Sequence, residues 1–214
     1  MWNRLVAVLS CAVVLTGCTG QTGTGTATTT PSPAVASPAI ASPAGASPAA
    51  GRSFQARWWE WAAAEPESTN PVADLTGEHC ARNQPGDVWF LAGSFGGQAQ
   101  RRCTVPAGVP LVVPGINLVG SDRADCRAYM ADASATIELD GAKLRLDRVE
   151  HEPIMFTAAP SNPVTETAGE HEGQGCGLWA RIEPLRAGEH EIRIRGRSGS
   201  FSLDVKYTLL VKSA

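Results

Sequence analysis

Hydrophobic and polar positions along this chain fall into three regimes. Residues from Leu5 to Leu15 are almost all apolar, the stretch from Thr19 to about Ser53 has no hydrophobic period, and from Phe54 to Ala214 short apolar runs alternate with turn residues. In the third regime Phe54, Trp58 and Trp61 recur at i, i+4 and i+7, the spacing of one helical face. Ser53 stands where an N-cap belongs, and Pro66 stops the pattern. This predicts a helix to about Ala64 whose stripe packs on the core. Trp59 lies about 100° around the axis from Trp58, on the flank, where it is the one tryptophan of the three expected to be exposed.

Beyond Asn70-Pro71 the pattern changes to strands. Asp87 to Gly93, "DVWFLAG", reads as a buried strand ending in a turn with Gly93, Gly96 and Gly97. The run from Val109 to Asn117, "VPLVVPGIN", contains two prolines and is therefore expected at a sheet edge or a bulge. Ser121 to Ala133 reads as a short helix. Ala135–Leu139 and Lys143–Val149 alternate around Asp140-Gly141, a two-residue hairpin signal. Ile154–Ala158 is a further strand, followed by a polar loop from Pro160 to Gly175. Leu178–Ile182, His190–Arg195 and Phe201–Val211 close the chain, with Trp89 and Trp179 placed in the core by their apolar strands. Eight or so short strands separated by turns predict an all-β, antiparallel sandwich, jelly-roll-like or immunoglobulin-like, with one N-terminal and one internal short helix.

The first two regimes concern location. Met1-Trp2-Asn3-Arg4 is a short basic start, and the apolar run after it has 11 residues where a membrane-spanning helix needs roughly 20. The run ends in Leu15-Thr16-Gly17-Cys18, which resembles the bacterial lipobox. That resemblance implies a signal peptide over residues 1–17, acylation of the Cys18 thiol, and a lipid-anchored protein on the extracytoplasmic face of the cell membrane. Residues 18–53 are rich in Ser, Thr, Pro and Ala, with Ser-Pro recurring every five residues at Ser32, Ser37, Ser42 and Ser47. Such a tract buries too little apolar surface to fold and is expected to be a disordered stalk. Residues 54–214 then form the sandwich domain.

Charge and cysteine content narrow the partners. The chain has 18 basic and 21 acidic residues; removal of the leader takes away Arg4 alone, leaving 17 against 21, or −4. With no basic cluster, nucleic acid is not an expected partner. Of six cysteines, Cys11 leaves with the leader and Cys18 takes the lipid. Cys80, Cys103, Cys126 and Cys176 remain, an even number in an exported domain, and read as two disulfides. Three pairings exist; Cys80–Cys103 with Cys126–Cys176 is favoured, because the first pair brackets one hydrophobic strand and its return.

The segments "NPVADLTGEHC", "VWFLAGSFGG", "RRCTVPAGVPLVVPGIN" and "GLWARIEPLRAGEHEIRIRG" with "FSLDVKYTLLV" resemble a recurrent group of exported bacterial proteins without an assigned function. The resemblance covers the domain but not the stalk. It implies a secreted β-rich module and transfers no catalytic residue.

Candidate chemistry is sparse. Each histidine follows a glutamate, at His79, His151, His171 and His190. Adjacent strand residues point to opposite faces, so such a dipeptide does not by itself present both groups to one ligand. Glu170, His171 and Glu172 are the strongest of these candidates because the pattern puts them in a long polar loop. No metal-ligand spacing, P-loop or nucleophile elbow occurs, so no catalytic residue, metal or cofactor is assigned. Carboxylates at Asp74, Glu78, Asp122 and Asp125 read as caps or turn formers. The expectation is a non-catalytic binding or presentation domain, with Trp59 and Glu170–Glu172 as ligand-contact candidates and an envelope glycan or protein as partner. A hydrolase of an envelope polymer and a structural envelope component are the alternatives.

Overall fold

Three tryptophans open the domain because the sheet beneath them is apolar on both faces. In the computed structural model, which describes residues 52–212, helix α1 spans Phe54–Ala62 with Ser53 as its N-cap, the Ser53 hydroxyl accepting from the Ala56 N–H. Cys18, the leader and most of the stalk lie outside the described residues. Among the described residues, no helix is long and apolar enough to cross a membrane.

Among the described residues, nine strands form two sheets. β1 (Trp89–Phe90), β3 (Leu111–Gly120), β7 (Gly169–Ile182) and β6 (Asp147–Ala158) make the first, in that spatial order. β2 (Gly97–Val105), β9 (Phe201–Val211), β8 (Gly188–Ser198), β4 (Ser134–Leu139) and β5 (Ala142–Lys143) make the second. The expected all-β sandwich is what forms. A four-strand sheet faces a five-strand sheet, with β6 and β7 in the first and β8 and β9 in the second. Both sheets are mixed and not wholly antiparallel as expected: β3, β7 and β6, and β9, β8 and β4, pair antiparallel, whereas β1 runs parallel to β3 and β2 runs parallel to β9.

Alternation decides which side chains fill the space between sheets. Ile192 and Ile194 of β8, and Val205, Tyr207 and Leu209 of β9, point inward against Leu111, Val113, Ala180 and Ile182 of the first sheet. Arg193 and Arg195 point outward and pair with Asp204 and Glu138 at 2.8 and 2.9 Å. The opposite face of the first sheet presents Val112, Ile154, Phe156, Ala158 and Trp179, which bury against Trp58, Trp59 and Trp61 of α1. β3 and β7 are therefore covered on both sides. This explains why their apolar runs are continuous and not alternating.

Several expectations shift in detail. Pro110 precedes β3 and Pro114 sits at its bulge, where the register to β7 slips between Pro114 and Ile116. The strand is nonetheless interior, because the missing N–H is absorbed at the irregularity. Asp140 and Gly141 both have positive φ, +50° and +83°, and join β4 to β5 as a two-residue hairpin. Val149 and Ile154 belong to one strand, β6, broken only by a bulge between Val149 and Glu152. Helix α2 (Arg123–Ala131) is capped reciprocally by Asp122 and Asp125, so these two carboxylates form a capping box. Both favoured disulfides are present, Cys80–Cys103 and Cys126–Cys176, with Cα separations of 6.0 and 5.8 Å.

Candidate functional site

The sequence candidates separate in space. Glu170, His171 and Glu172 belong to β7, which begins at Gly169 and not after Gly175, so they are strand residues and not a loop. Their cross-strand partners are Thr157, Phe156 and Met155. Strand alternation turns His171 toward the α1 side, where its ring stacks on Phe156 at 5.7 Å and its Nε2 lies 3.2 Å from the Thr167 carbonyl. The two glutamates point the other way and remain exposed. They do not converge with His171 on one ligand. Among the described residues, no group of three or more His, Cys, Asp or Glu side chains is arranged to hold a metal ion.

Trp59 also departs from expectation. It is 7% exposed, edge-on to Trp58 at 4.9 Å and 6.5 Å from Phe156. An exposed aromatic platform for stacking sugars does not exist at this position. The reason is tertiary: the sheet under α1 offers a wide apolar face, so the helix buries its flank as well as its stripe.

Histidines and acids elsewhere have structural partners. Asp74 accepts through Oδ1 from the N–H groups of Thr76 and Gly77 and through Oδ2 from that of His79. Burial pushes the Asp74 carboxyl up, but these backbone donors together hold it below the usual carboxylate range. His190 Nδ1 lies 2.7 Å from Asp140 Oδ2, with Nε2 3.0 Å from the Arg186 carbonyl.

What the fold does build is a cleft of about 340 Å³. Trp58, Trp59 and Ala62 of α1 line it together with Val72. The Gly93–Phe95 turn contributes Ser94 and the exposed Phe95, β3 contributes Asn117, Leu118 and Val119, and Tyr129 comes from α2. Pro163 and Val164, then Phe201 and Leu203 at the start of β9, complete the wall. None of these side chains is charged. A volume above roughly 300 Å³ with a predominantly apolar lining and a few polar atoms is the usual form of a small-molecule site.

The polar atoms are specific. Trp58 and Trp61 donate from their indoles to the carbonyls of Leu91 and Arg82 at 2.9 and 2.8 Å. The Nε1 of Trp59 and the Nδ2 of Asn117 are buried with no acceptor among the described residues. Trp89 and Trp179 carry unpartnered indoles too, but neither lines the cleft. The Tyr129 hydroxyl donates to the Asn117 carbonyl at 3.1 Å, and burial pushes its pKa well above the usual tyrosine range, so it stays neutral.

The turn that forms one wall is fixed from behind by Arg101. This side chain is 3% exposed and donates to the carbonyls of Val72, Asp74, Ala92 and Gly93 and to the hydroxyl of Tyr207. The sequence held a signal for it: Ala99, Arg101, Cys103 and Val105 share the inward face of β2 by alternation. Asn117 and Tyr129 had no such signal, because they come together only through packing of α2 on β3 and β7. Phe95, a large apolar residue in a Gly-rich turn and 51% exposed, was the one visible hint of the cleft mouth.

No family model matches the chain, and no curated protein matches it. Two solved structures show a distant likeness. One is the solution structure of amebosin, at 11% identity and TM-score 0.21, covering 55% of this chain and 98% of that one. The other is the crystal structure of the cysteine protease inhibitor EhICP2 from Entamoeba histolytica, at 11% identity and TM-score 0.22, covering 54% and 96%. Scores this low carry no argument about function.

Proposed function

We propose that this chain is a lipid-anchored binding domain of a bacterial cell envelope, held through Cys18 and a Ser/Thr/Pro/Ala stalk, and that the cleft between α1 and the end of the sandwich is where it binds. The lipobox-like Leu15–Cys18 segment and two disulfides support export to an oxidising compartment. The observation that carries binding is a concave, uncharged volume of about 340 Å³ lined by two tryptophans and edged by an exposed phenylalanine. Binding without catalysis fits the lining, in which Ser94 and Tyr129 supply the hydroxyls and no base stands among the wall residues. Ser94 Oγ accepts from the Gly96 N–H at 3.3 Å and meets no histidine.

The test is thermal unfolding of the full chain against panels of apolar small molecules, envelope glycans and apolar peptides. A ligand at 100 times its Kd adds about 2.7 kcal/mol to stability. Val164→Trp, which fills the cleft from its half-buried rim, abolishes that shift. A shift that persists in Val164→Trp places binding elsewhere and sinks the assignment.

A further inference from the structure

Asn-Pro-Val occurs twice in the chain, at residues 70–72 and 162–164, and the fold uses it the same way both times. Asn70 is fully buried. Its Oδ1 accepts from the N–H groups of Val72 and Ala73 at 2.9 and 3.4 Å, and its Nδ2 donates to the carbonyls of Ala62 and Glu65 at 2.7 and 3.2 Å. Asn162, buried as well, accepts from the N–H groups of Val164 and Thr165 at 3.0 and 2.9 Å. Its Nδ2 donates to the carbonyls of Ala159 and Thr167 at 2.7 and 3.2 Å. The segments carrying the two turns are tied together beyond the end of α1: the Glu67 N–H donates to the Ser161 carbonyl at 3.0 Å, and the Ala159 N–H to that of Ala63 at 2.8 Å. Val72 and Val164 both line the cleft. Resting on that cleft as the binding site, we infer that its ligand is an uncharged apolar molecule chosen by bulk, and that Val72 and Val164, held in place by Asn70 and Asn162, set the limit.

Rigidity is what lets a wall reject bulk. The asparagine side chain fixes the backbone two residues on, the intervening proline fixes its own φ, and a β-branched valine is confined at χ1. Such a wall does not retreat from an oversized ligand by rotating a side chain. Against a firm apolar wall, one methylene more or less changes binding by roughly 10- to 200-fold.

The chemical class follows from what the lining withholds. None of its side chains is charged, so an ionised ligand group would lose hydration with no opposite charge to meet. Its two hydroxyls are engaged, Ser94 with the Gly96 N–H and Tyr129 with the Asn117 carbonyl. The unpartnered N–H groups of Trp59 and Asn117 lie beneath the surface and offer a ligand nothing. A sugar would bury hydroxyls there without partners. About 340 Å³ takes roughly eleven water-sized groups, which bounds the ligand's size.

The experiment titrates the full chain with methyl octyl ketone and with camphor, which have equal numbers of heavy atoms but differ in thickness. Calorimetry gives the affinities, and the Val164 methyl resonances report the site. Camphor is expected to bind about tenfold more weakly. Val164→Ala narrows that ratio several-fold and Val164→Ile widens it, opposite changes that a general loss of stability does not produce. Asn162→Ala brings the ratio toward one, whereas an asparagine that only stabilises its loop lowers the melting temperature and leaves the ratio alone. Should that variant not fold, the two Val164 variants decide. Decanoate and camphorsulfonate, charged counterparts of the two ketones, bind about tenfold more weakly than the ketones or worse. A ratio indifferent to Val164 overturns the role of the valines. Charged analogues that bind as well as the ketones overturn the apolar class and leave the cleft standing, as does N-acetylglucosamine moving the Val164 methyls when neither ketone does. If no probe moves a cleft resonance, the binding assignment fails with it.

Discussion

Arg101 donates from Nη1 to the hydroxyl of Tyr207 at 2.5 Å, and its guanidinium lies 5.3 Å from the centre of the Tyr207 ring. The same hydroxyl accepts from the Ala92 N–H at 3.0 Å and donates to the Ala92 carbonyl at 2.9 Å. One buried cation, satisfied by carbonyls and a phenol and by no carboxylate, thus locks β2 and β9 to the turn that walls the cleft. Arg101→Met strands the carbonyls of Val72, Asp74, Ala92 and Gly93 and is expected to cost about 3–5 kcal/mol. Arg101→Lys does not restore it, because an ammonium has three donors on a single point and cannot span these acceptors. Tyr207→Phe costs about 1–3 kcal/mol. Denaturant midpoints at constant m-value check all three.

The two sheets approach each other closely at a pair of glycines. A Cβ on Gly196 of β8 would sit well within the van der Waals contact distance of the Gly115 carbonyl oxygen, and a Cβ on Gly115 would lie 2.6 Å from that of Ala135. Neither position has room for a methyl group unless the sheets part. Gly196→Ala is therefore expected to destabilise by about 1–3 kcal/mol through overpacking. Gly141→Ala, which meets nothing within 4 Å, is a control in which only the positive φ is strained. Equilibrium unfolding of the two variants gives the comparison.

The disulfides close loops of different length, with sequence separations of 23 and 50. Loop entropy assigns them about 3.4 and about 4.1 kcal/mol. Replacing Cys126 and Cys176 together by Ala is expected to lower stability more than replacing Cys80 and Cys103. It also frees α2, which carries Tyr129, so cleft binding weakens in the first double variant more than in the second. Calorimetry with a titration of each variant measures both effects.

The contact of His190 with Asp140 gives a pH dependence whose sign is fixed. The hydrogen bond to Asp140 raises the His190 pKa above 6.5, so its contribution is present below 6.5 and is lost as pH rises through the folded-state value. The backbone N–H of Glu191 and then His190 lower the Asp140 pKa beneath 3.8, so its contribution is present above 3.8 and is lost as pH falls through the folded-state value. The pair therefore stabilises most between these limits. Asp140 is half exposed, which keeps the effect below about 1 kcal/mol. His190→Gln is expected to flatten the fall in stability from pH 6 to pH 8, read from urea midpoints.

Much of the architecture was legible from local pattern. The Ser53 cap, the Asp140-Gly141 hairpin, the bulge at Pro114 and the alternation of Ile192 and Ile194 with arginines each follow from the geometry of a few neighbouring residues. The favoured pairing of the four cysteines is the one that forms, although β1 and β2 lie in different sheets and are not the strand and return on which that preference rested. The site was not legible, because its parts are contributed by α1, a turn, β3, α2 and β9, and no short window contains them. Glu170–Glu172 looked like a loop because polar, Gly-rich residues dominate the segment. Pairing with β6 made it a strand, since the backbone N–H and C=O groups of Met155, Phe156 and Thr157 were there to be joined.

Periodicity determined that Trp58 and Trp61 face inward, since residues on one helical stripe share whatever that stripe meets. Only the tertiary structure decided Trp59. Its burial depends on how wide an apolar surface the four-stranded sheet presents, and the free N–H it keeps depends on which carbonyls lie within reach. Both are distances between elements far apart in the chain, and a sequence read residue by residue carries no distances.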